Sequence, residues 1–220
     1  MHLQLDDIDL FIFDWDGTLS TSTFIVRLSH YFKSRYRLDS LERYLAGHAE
    51  DEGMIPNVEL RNMDAAERKN SFYSRFYELY ALIYKPRLKR NAVDVLKFLK
   101  AHKKKVAIFS DGKTDRLFKE IRDLDISKYI DIVLAADYIK RYKPDPTGIK
   151  LIERQLGVSK ERSIYIGDMA VDIAAAKLAG TRVCSICDGI DPCEKLKKMN
   201  PDYIMRNLEE FYKELAIRRS

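Results

Sequence analysis

Cysteine is scarce in this sequence. There are three in 220 residues, Cys184, Cys187 and Cys193. An odd number, all late in the chain, argues against the disulfide framework of small secreted domains. No apolar run is long enough to span a bilayer. No basic segment followed by an apolar stretch opens the chain, so no secretory signal is expected and the cytoplasm is the expected location. Internal repeats and low-complexity segments are also missing. Lys and Arg are scattered among Asp and Glu, and the short basic runs Lys103-Lys104-Lys105 and Lys195 to Lys198 read as solvated helix faces or loops. They do not form a nucleic-acid stripe. Neither a nucleic acid nor a membrane is expected as a partner.

Cys184-Ser-Ile-Cys187 does match C-x-x-C. A zinc site needs a second such pair or two histidines nearby, and neither is present. A redox pair is the other functional reading. Against both, Arg182 to Cys187 reads as a short buried strand, where residues three apart point to opposite faces.

What is present suits a globular protein. Apolar residues make up 46% of the chain and charged residues 33%, with a formal net charge of +5. That is enough to bury a sizeable core, in one large domain or a core with an inserted subdomain. The mild positive bias suits anionic substrates.

Ile8 to Phe13 is short, β-branched and aromatic, the texture of a buried strand. It runs into Asp14-Trp15-Asp16-Gly17-Thr18, a polar loop. From Ser20 to about Lys89 the texture changes. Phe24, Leu28, Tyr31 and Phe32 recur at helical spacing, as do Phe72, Phe76, Leu79, Tyr80 and Ile83. This predicts an all-helical insertion over 20–89, with the core domain in 1–19 and 90–220. Beyond it, strands are predicted at 105–109, 130–135, 162–166, 181–186 and 202–204. Helices are predicted at 93–101, 114–124, 147–156, 171–178, 192–199 and 207–217, with Gly157 and Gly180 closing two of them. The alternation implies an α/β fold, a Rossmann-like parallel sheet covered on both faces.

Four polar segments each follow a predicted strand or precede a helix. In such a sheet, ligands bind at the carboxyl ends of the strands. Asp14 and Asp16 place two carboxylates at one strand end. Like charges repel there unless a proton or cation intervenes, and Mg²⁺ prefers a few carboxylates, waters and substrate phosphate. Taken alone, the pentapeptide also fits Asx turns and helix caps. Ser110-Asp111-Gly112 offers a hydroxyl and a turn whose N–H groups make an anion site, or a simple cap. Lys143 stands before Pro144-Asp145-Pro146, where fixed backbone can aim an ammonium at phosphate. Gly167-Asp168 is followed four residues on by Asp172, so both acids can face one site, as metal ligand and supporting acid.

In this order and at these strand ends, the four segments resemble the haloacid dehalogenase superfamily of phosphohydrolases. The resemblance covers residues 8 to roughly 190. The position of the helical insertion is similar to that in members with an α-helical cap, such as phosphoglycolate phosphatases. The resemblance implies a Mg²⁺-dependent phosphatase acting on a small phosphorylated metabolite. Asp14 would be the nucleophile and a metal ligand. Asp16 would be the general acid and base, with its backbone carbonyl on the metal. Ser110, with the N–H groups of Asp111 and Gly112, would bind phosphate. Lys143 would orient the nucleophile and hold phosphate. Asp168 and Asp172 would complete the metal site. Two departures stand out. Asp111 replaces an Asn common in relatives. Ser20-Thr21-Ser22 lacks an Asp that many capped relatives carry before the Ser. The competing readings are a phosphotransferase or phosphomutase using the same aspartyl-phosphate, and a non-catalytic regulator that keeps the fold. The oligomeric state is not legible.

Overall fold

The computed structural model describes residues 5–21 and 87–217. Contacts divide the chain into two units, 1–37 with 86–220 and 38–85. The second unit lies wholly outside the described residues. So does the predicted helical insertion, apart from 20–21 and 87–89.

Six parallel strands form the centre of the first unit: β1 (Leu10–Phe13), β2 (Lys105–Ser110), β3 (Ile132–Ala135), β4 (Ser163–Gly167), β5 (Arg182–Ile186) and β6 (Tyr203–Met205), in the order β3-β2-β1-β4-β5-β6. The chain builds outward from β1 on one side through β2 and β3. It then returns to the other side of β1 with β4. Phe13 therefore has Ile108 of β2 on one flank and Ile166 of β4 on the other. The strand order reverses between β1 and β4, the place where ligands bind at the strands' carboxyl ends in such sheets.

The helices are α1 (Ala92–Ala101), α2 (Thr114–Asp123), α3 (Ala136–Ile139), α4 (Thr147–Leu156), α5 (Ala170–Ala179), α6 (Cys193–Lys198) and α7 (Leu208–Ala216). Successive strand residues point to opposite faces, and each face is apolar because each is covered. Phe11 and Phe13 of β1 pack with Leu96 and Leu99 of α1, Leu117 of α2 and Phe211 of α7. Leu10 and Ile12 pack in a second cluster with Ile149 and Ile152 of α4, Ile173 and Ala176 of α5 and Leu196 of α6. The Ala-rich sequence of α5 lets that helix lie close against the sheet. Gly157 and Gly180 end α4 and α5 in left-handed conformation (φ 64° and 76°), as their positions in the sequence predict.

The end of the first described segment meets the start of the second. Ser20 bridges Leu88, Thr21 N–H donates to the Arg87 carbonyl, and Lys89 N–H donates to the Leu19 carbonyl.

Two features differ from the sequence expectations. The short helix α3 directly follows β3 and was not predicted. It carries Asp137, whose carboxylate accepts from Thr114 N–H at 3.1 Å and Thr114 Oγ1 at 2.5 Å. The start of α2 is thus capped from another element and not by its own Lys113. Against the expectation from the cysteine count, Cys187 and Cys193 form a disulfide. Parity argues about frameworks; it says nothing about one local bridge across a turn with 4.7 Å between the two Cα atoms. Cys184 is buried and free, and burial pushes its thiol well above the ordinary range. That leaves Cys184-Ser-Ile-Cys187 without the exposed, thiolate-forming cysteine a redox pair needs.

Candidate active site

The loop after β1 is held tightly. Ser20 N–H and Ser20 Oγ donate to the Trp15 carbonyl, and Gly17 N–H donates to the Ser20 carbonyl. Gly17 has φ +92°, and a Cβ there would stand 2.3 Å from Asp168 Oδ2. Only glycine permits that backbone conformation and that approach at once. The loop is thereby pressed onto the end of β4. Thr18 Oγ1 donates to Asp168 Oδ1 at 2.7 Å, and Ile190 N–H donates to Asp168 Oδ2 at 2.5 Å. Asp168 is oriented from both sides before any ligand arrives.

Asp14, Asp168 and Asp172 come together. One oxygen from each lies within 4.8 Å of the others, and all three residues are buried. Lys143 is the cation among them. Its Nζ donates to Asp14 Oδ1 at 2.6 Å, to Asp172 Oδ1 at 2.7 Å and to the Tyr165 hydroxyl at 3.1 Å. Burial alone would lower the ammonium's pKa, but the charges of Asp14 and Asp172 hold it well above the ordinary range. Burial pushes the Asp14 carboxyl well above its usual range. Lys143 pulls it back, while Asp172 and Asp168 push it further up. Burial, and next the Asp172 charge, push Asp168 up to about 7. When all three are ionised, the buried carboxylates face one ammonium and two negative charges are left over. A hard divalent cation supplies that missing charge, so the donor set fits a metal ion.

Asp172 is the best anchored of the three. Its Oδ2 accepts from the N–H groups of Asp168 at 3.1 Å and Met169 at 2.9 Å. It thereby caps the first turn of α5 and reaches the cluster from behind.

Ser110 ends β2, and its Oγ accepts from Gly112 N–H at 3.0 Å. The Asp111 carboxylate is engaged structurally. Its Oδ1 accepts from Lys143 N–H at 3.0 Å, which fixes the loop that carries the ammonium. The replacement of Asn by Asp is accommodated through this backbone donor.

Asp16 does not join the carboxylate cluster. Arg116 of α2 grips it with both arms of its guanidinium, Nη1 donating to Oδ1 at 3.0 Å and Nη2 to Oδ2. Glu120, one turn further along α2, stands 3.5 Å from Arg116 Nη1 and accepts from Trp15 Nε1 at 2.6 Å.

Sequence reasoning missed four of these residues. Thr18 stands in the polar loop after β1 with nothing in the sequence to mark Asp168 as its partner. Tyr165 lies within the predicted strand 162–166, where its ring fits a buried core. Arg116 and Glu120 sit at i,i+4 on a helix directly after the Ser110 segment, and that spacing was the available signal.

Comparison with known proteins places the chain in a family. The family model for haloacid dehalogenase-like hydrolases matches residues 11–186. Pyrophosphatase PpaX of Halalkalibacterium halodurans is 24% identical over 93% of this chain and 95% of its own length. Phosphorylated carbohydrates phosphatase of Thermotoga maritima is 30% identical over 77% of this chain and 80% of its own. Phosphoglycolate phosphatase of Photorhabdus laumondii is 28% identical over 66% and 62%. Among solved structures, a haloacid dehalogenase family hydrolase of Deinococcus radiodurans with bound phosphate and sodium superposes with a TM-score of 0.66. It is 19% identical over 96% of this chain and 99% of its own. The chain belongs to the haloacid dehalogenase-like hydrolase family, and it is an enzyme of that family's phosphatase kind.

Proposed function

We propose that this chain is a Mg²⁺-dependent phosphatase that hydrolyses a small phosphomonoester, phosphoglycolate-like or a sugar phosphate, through an aspartyl-phosphate on Asp14. One observation carries the reading. The Asp14 carboxylate lies at the end of β1 beside Asp168 and Asp172, with Lys143 Nζ 2.6 Å away. Such clustering of buried acids is costly, and a nucleophile beside a cation site accounts for it.

The reaction follows from the charges. An oxygen of Asp14 attacks phosphorus, and the bond from phosphorus to the leaving oxygen breaks with its electron pair on that oxygen. Asp16 gives the leaving oxygen a proton. Asp16 then takes a proton from water, whose oxygen attacks the same phosphorus. Orthophosphate leaves and Asp14 is restored. Lys143 holds Asp14 in place, and together with Ser110 and the N–H groups of Asp111 and Gly112 it meets the phosphoryl oxygens. Asp14, Asp168 and the Asp16 carbonyl would hold Mg²⁺, with Asp172 behind them. When bound, Mg²⁺ supplies positive charge between two anions that would otherwise repel.

In this reading residues 20–89 form an α-helical cap, and 1–19 with 90–220 form the core domain. The partner is a small phosphorylated metabolite, and the setting is the cytoplasm. Relatives named for pyrophosphate, phosphorylated carbohydrates and phosphoglycolate support a substrate of this size. The test is release of p-nitrophenol from p-nitrophenyl phosphate. Turnover that requires Mg²⁺ and is abolished in Asp14→Asn is expected. Turnover that survives Asp14→Asn sinks the nucleophile assignment.

A further inference from the structure

Two acids of the loop after β1 are each held by a cation from another element. Lys143 holds Asp14, and Arg116 holds Asp16. The mechanism above uses only the first. Resting on that mechanism, the place of the second has a consequence for substrate choice.

Asp16, as the acid of the proposed reaction, must reach the leaving oxygen. Arg116 touches both oxygens of Asp16, so its guanidinium stands on the leaving-group side of the reacting phosphorus. It also lies over the phosphate-binding turn. A Cβ on Gly112 would stand 2.5 Å from Arg116 Nη2 and 3.2 Å from Ser110 Oγ. Glycine at 112 leaves room for the guanidinium to approach the turn this closely.

Arg116 is also held from behind. Glu120 lies 3.5 Å from Nη1 and is itself fixed by the Trp15 indole at 2.6 Å. Burial raises the Glu120 pKa, and the Arg116 charge opposes that rise. The guanidinium keeps this second partner if one arm turns from Asp16 toward a ligand. A planar fork of donors, largely buried and backed by a carboxylate, is the usual means of gripping a phosphate or carboxylate.

We propose that Arg116 is a specificity-determining residue that binds an oxyanion on the leaving group of the substrate. It would thereby select substrates whose leaving group carries its own negative charge. Two sources share this chemistry, the second phosphoryl group of pyrophosphate and the carboxylate of a phosphorylated hydroxy acid. In either, the bond from phosphorus to the leaving oxygen breaks as before, and Arg116 meets the anion that departs. An arm of Arg116 that moves to this anion also frees an oxygen of Asp16 for the proton transfer.

The experiment compares kcat/KM on four substrates with Mg²⁺, for the wild type, Arg116→Ala and Arg116→Lys. Pyrophosphate and phosphoglycolate carry charged leaving groups. Neither glycerol 2-phosphate nor p-nitrophenyl phosphate carries a charge on its leaving group before cleavage, and p-nitrophenolate departs with little acid help. The wild type is expected to favour one or both charged substrates. Arg116→Ala is expected to lose about 10- to 100-fold more on the favoured one than on glycerol 2-phosphate, mainly in KM. Arg116→Lys, which keeps the charge but not the fork, should fall between. The source is identified by which charged substrate suffers.

Equal loss on glycerol 2-phosphate and the charged substrates overturns the proposal, because Arg116 then acts only by positioning Asp16. No preference in the wild type for a charged leaving group also overturns it. If Arg116→Ala does not fold, Arg116→Lys decides the matter by the same ratio. Failure of the wild type on all four substrates would contradict the phosphatase reading itself.

Discussion

Thr18 Oγ1 donates a 2.7 Å hydrogen bond to Asp168 Oδ1 across 150 residues of sequence. The bond joins the loop after β1 to the loop after β4, the two loops that flank the reversal of strand order. Replacing the hydroxyl by a methyl of nearly equal shape isolates its role. Thr18→Val is expected to destabilise the protein by about 1–3 kcal/mol, because a buried carboxylate oxygen loses its donor. Metal affinity is expected to fall about tenfold or more, since Asp168 is then oriented from one side only. Thermal unfolding and titration calorimetry with Mg²⁺ or Mn²⁺ read the two effects. Unchanged metal affinity would mean that the Thr18 hydrogen bond does not orient Asp168 toward a metal.

Lys143 is the ammonium within the Asp14, Asp168 and Asp172 cluster, and it is buried with them. Removing one partner from a buried ion pair is more damaging than removing both. Lys143→Met is expected to cost about 3–5 kcal/mol of stability in the absence of metal. It should also abolish turnover of p-nitrophenyl phosphate. Denaturant unfolding of the metal-free variant checks the first point. A variant as stable as the wild type would show that the carboxylates are satisfied without Lys143.

The same cluster gives stability a dependence on pH. Burial and the Asp172 charge hold Asp168 up to about 7, against 3.8 for a free Asp side chain. Between about pH 4 and pH 7 the folded, metal-free protein retains a proton that the unfolded chain has released, so stability falls as pH rises. The upward shift of Asp14 has the same sign. A cation binds best where these groups have lost their protons. Mg²⁺ is therefore expected to raise Tm more at about pH 8 than at about pH 5. An equal rise at both would contradict a cation site built from these carboxylates.

The bond between Cys187 and Cys193 closes the loop that places Ile190 N–H on Asp168. Cys184 is the free cysteine. Protein prepared without reductant and then denatured is expected to titrate one thiol per chain, and three after reduction. Three thiols from the start would show the bridge to be absent under those conditions.

The carboxyl ends of the strands were legible because each follows a short apolar run buried on both faces. Asp14, Ser110 and Asp168 stand where such runs stop. The core elements were legible for the same reason, with ends that shift by a residue or two as hydrogen bonds decide them. Contacts between distant segments were not legible. Arg116 reaches Asp16 across 100 residues, and Asp137 caps α2 from α3 across 23. Neither pairing leaves a periodic trace in the sequence. Tyr165 was hidden by its own apolar ring, which fits a buried strand whether or not the hydroxyl meets Lys143. The cap residues predicted at 20–89 lie almost entirely outside the described residues.

Trapping the covalent intermediate tests the central claim most directly. Enzyme turning over p-nitrophenyl phosphate with Mg²⁺ would be quenched with borohydride, which reduces an acyl phosphate to an alcohol, and digested for peptide mass spectrometry. The account predicts homoserine at position 14, dependent on substrate and on Mg²⁺. Modification at another residue, or an unmodified Asp14 in enzyme that turns over fully, would contradict it.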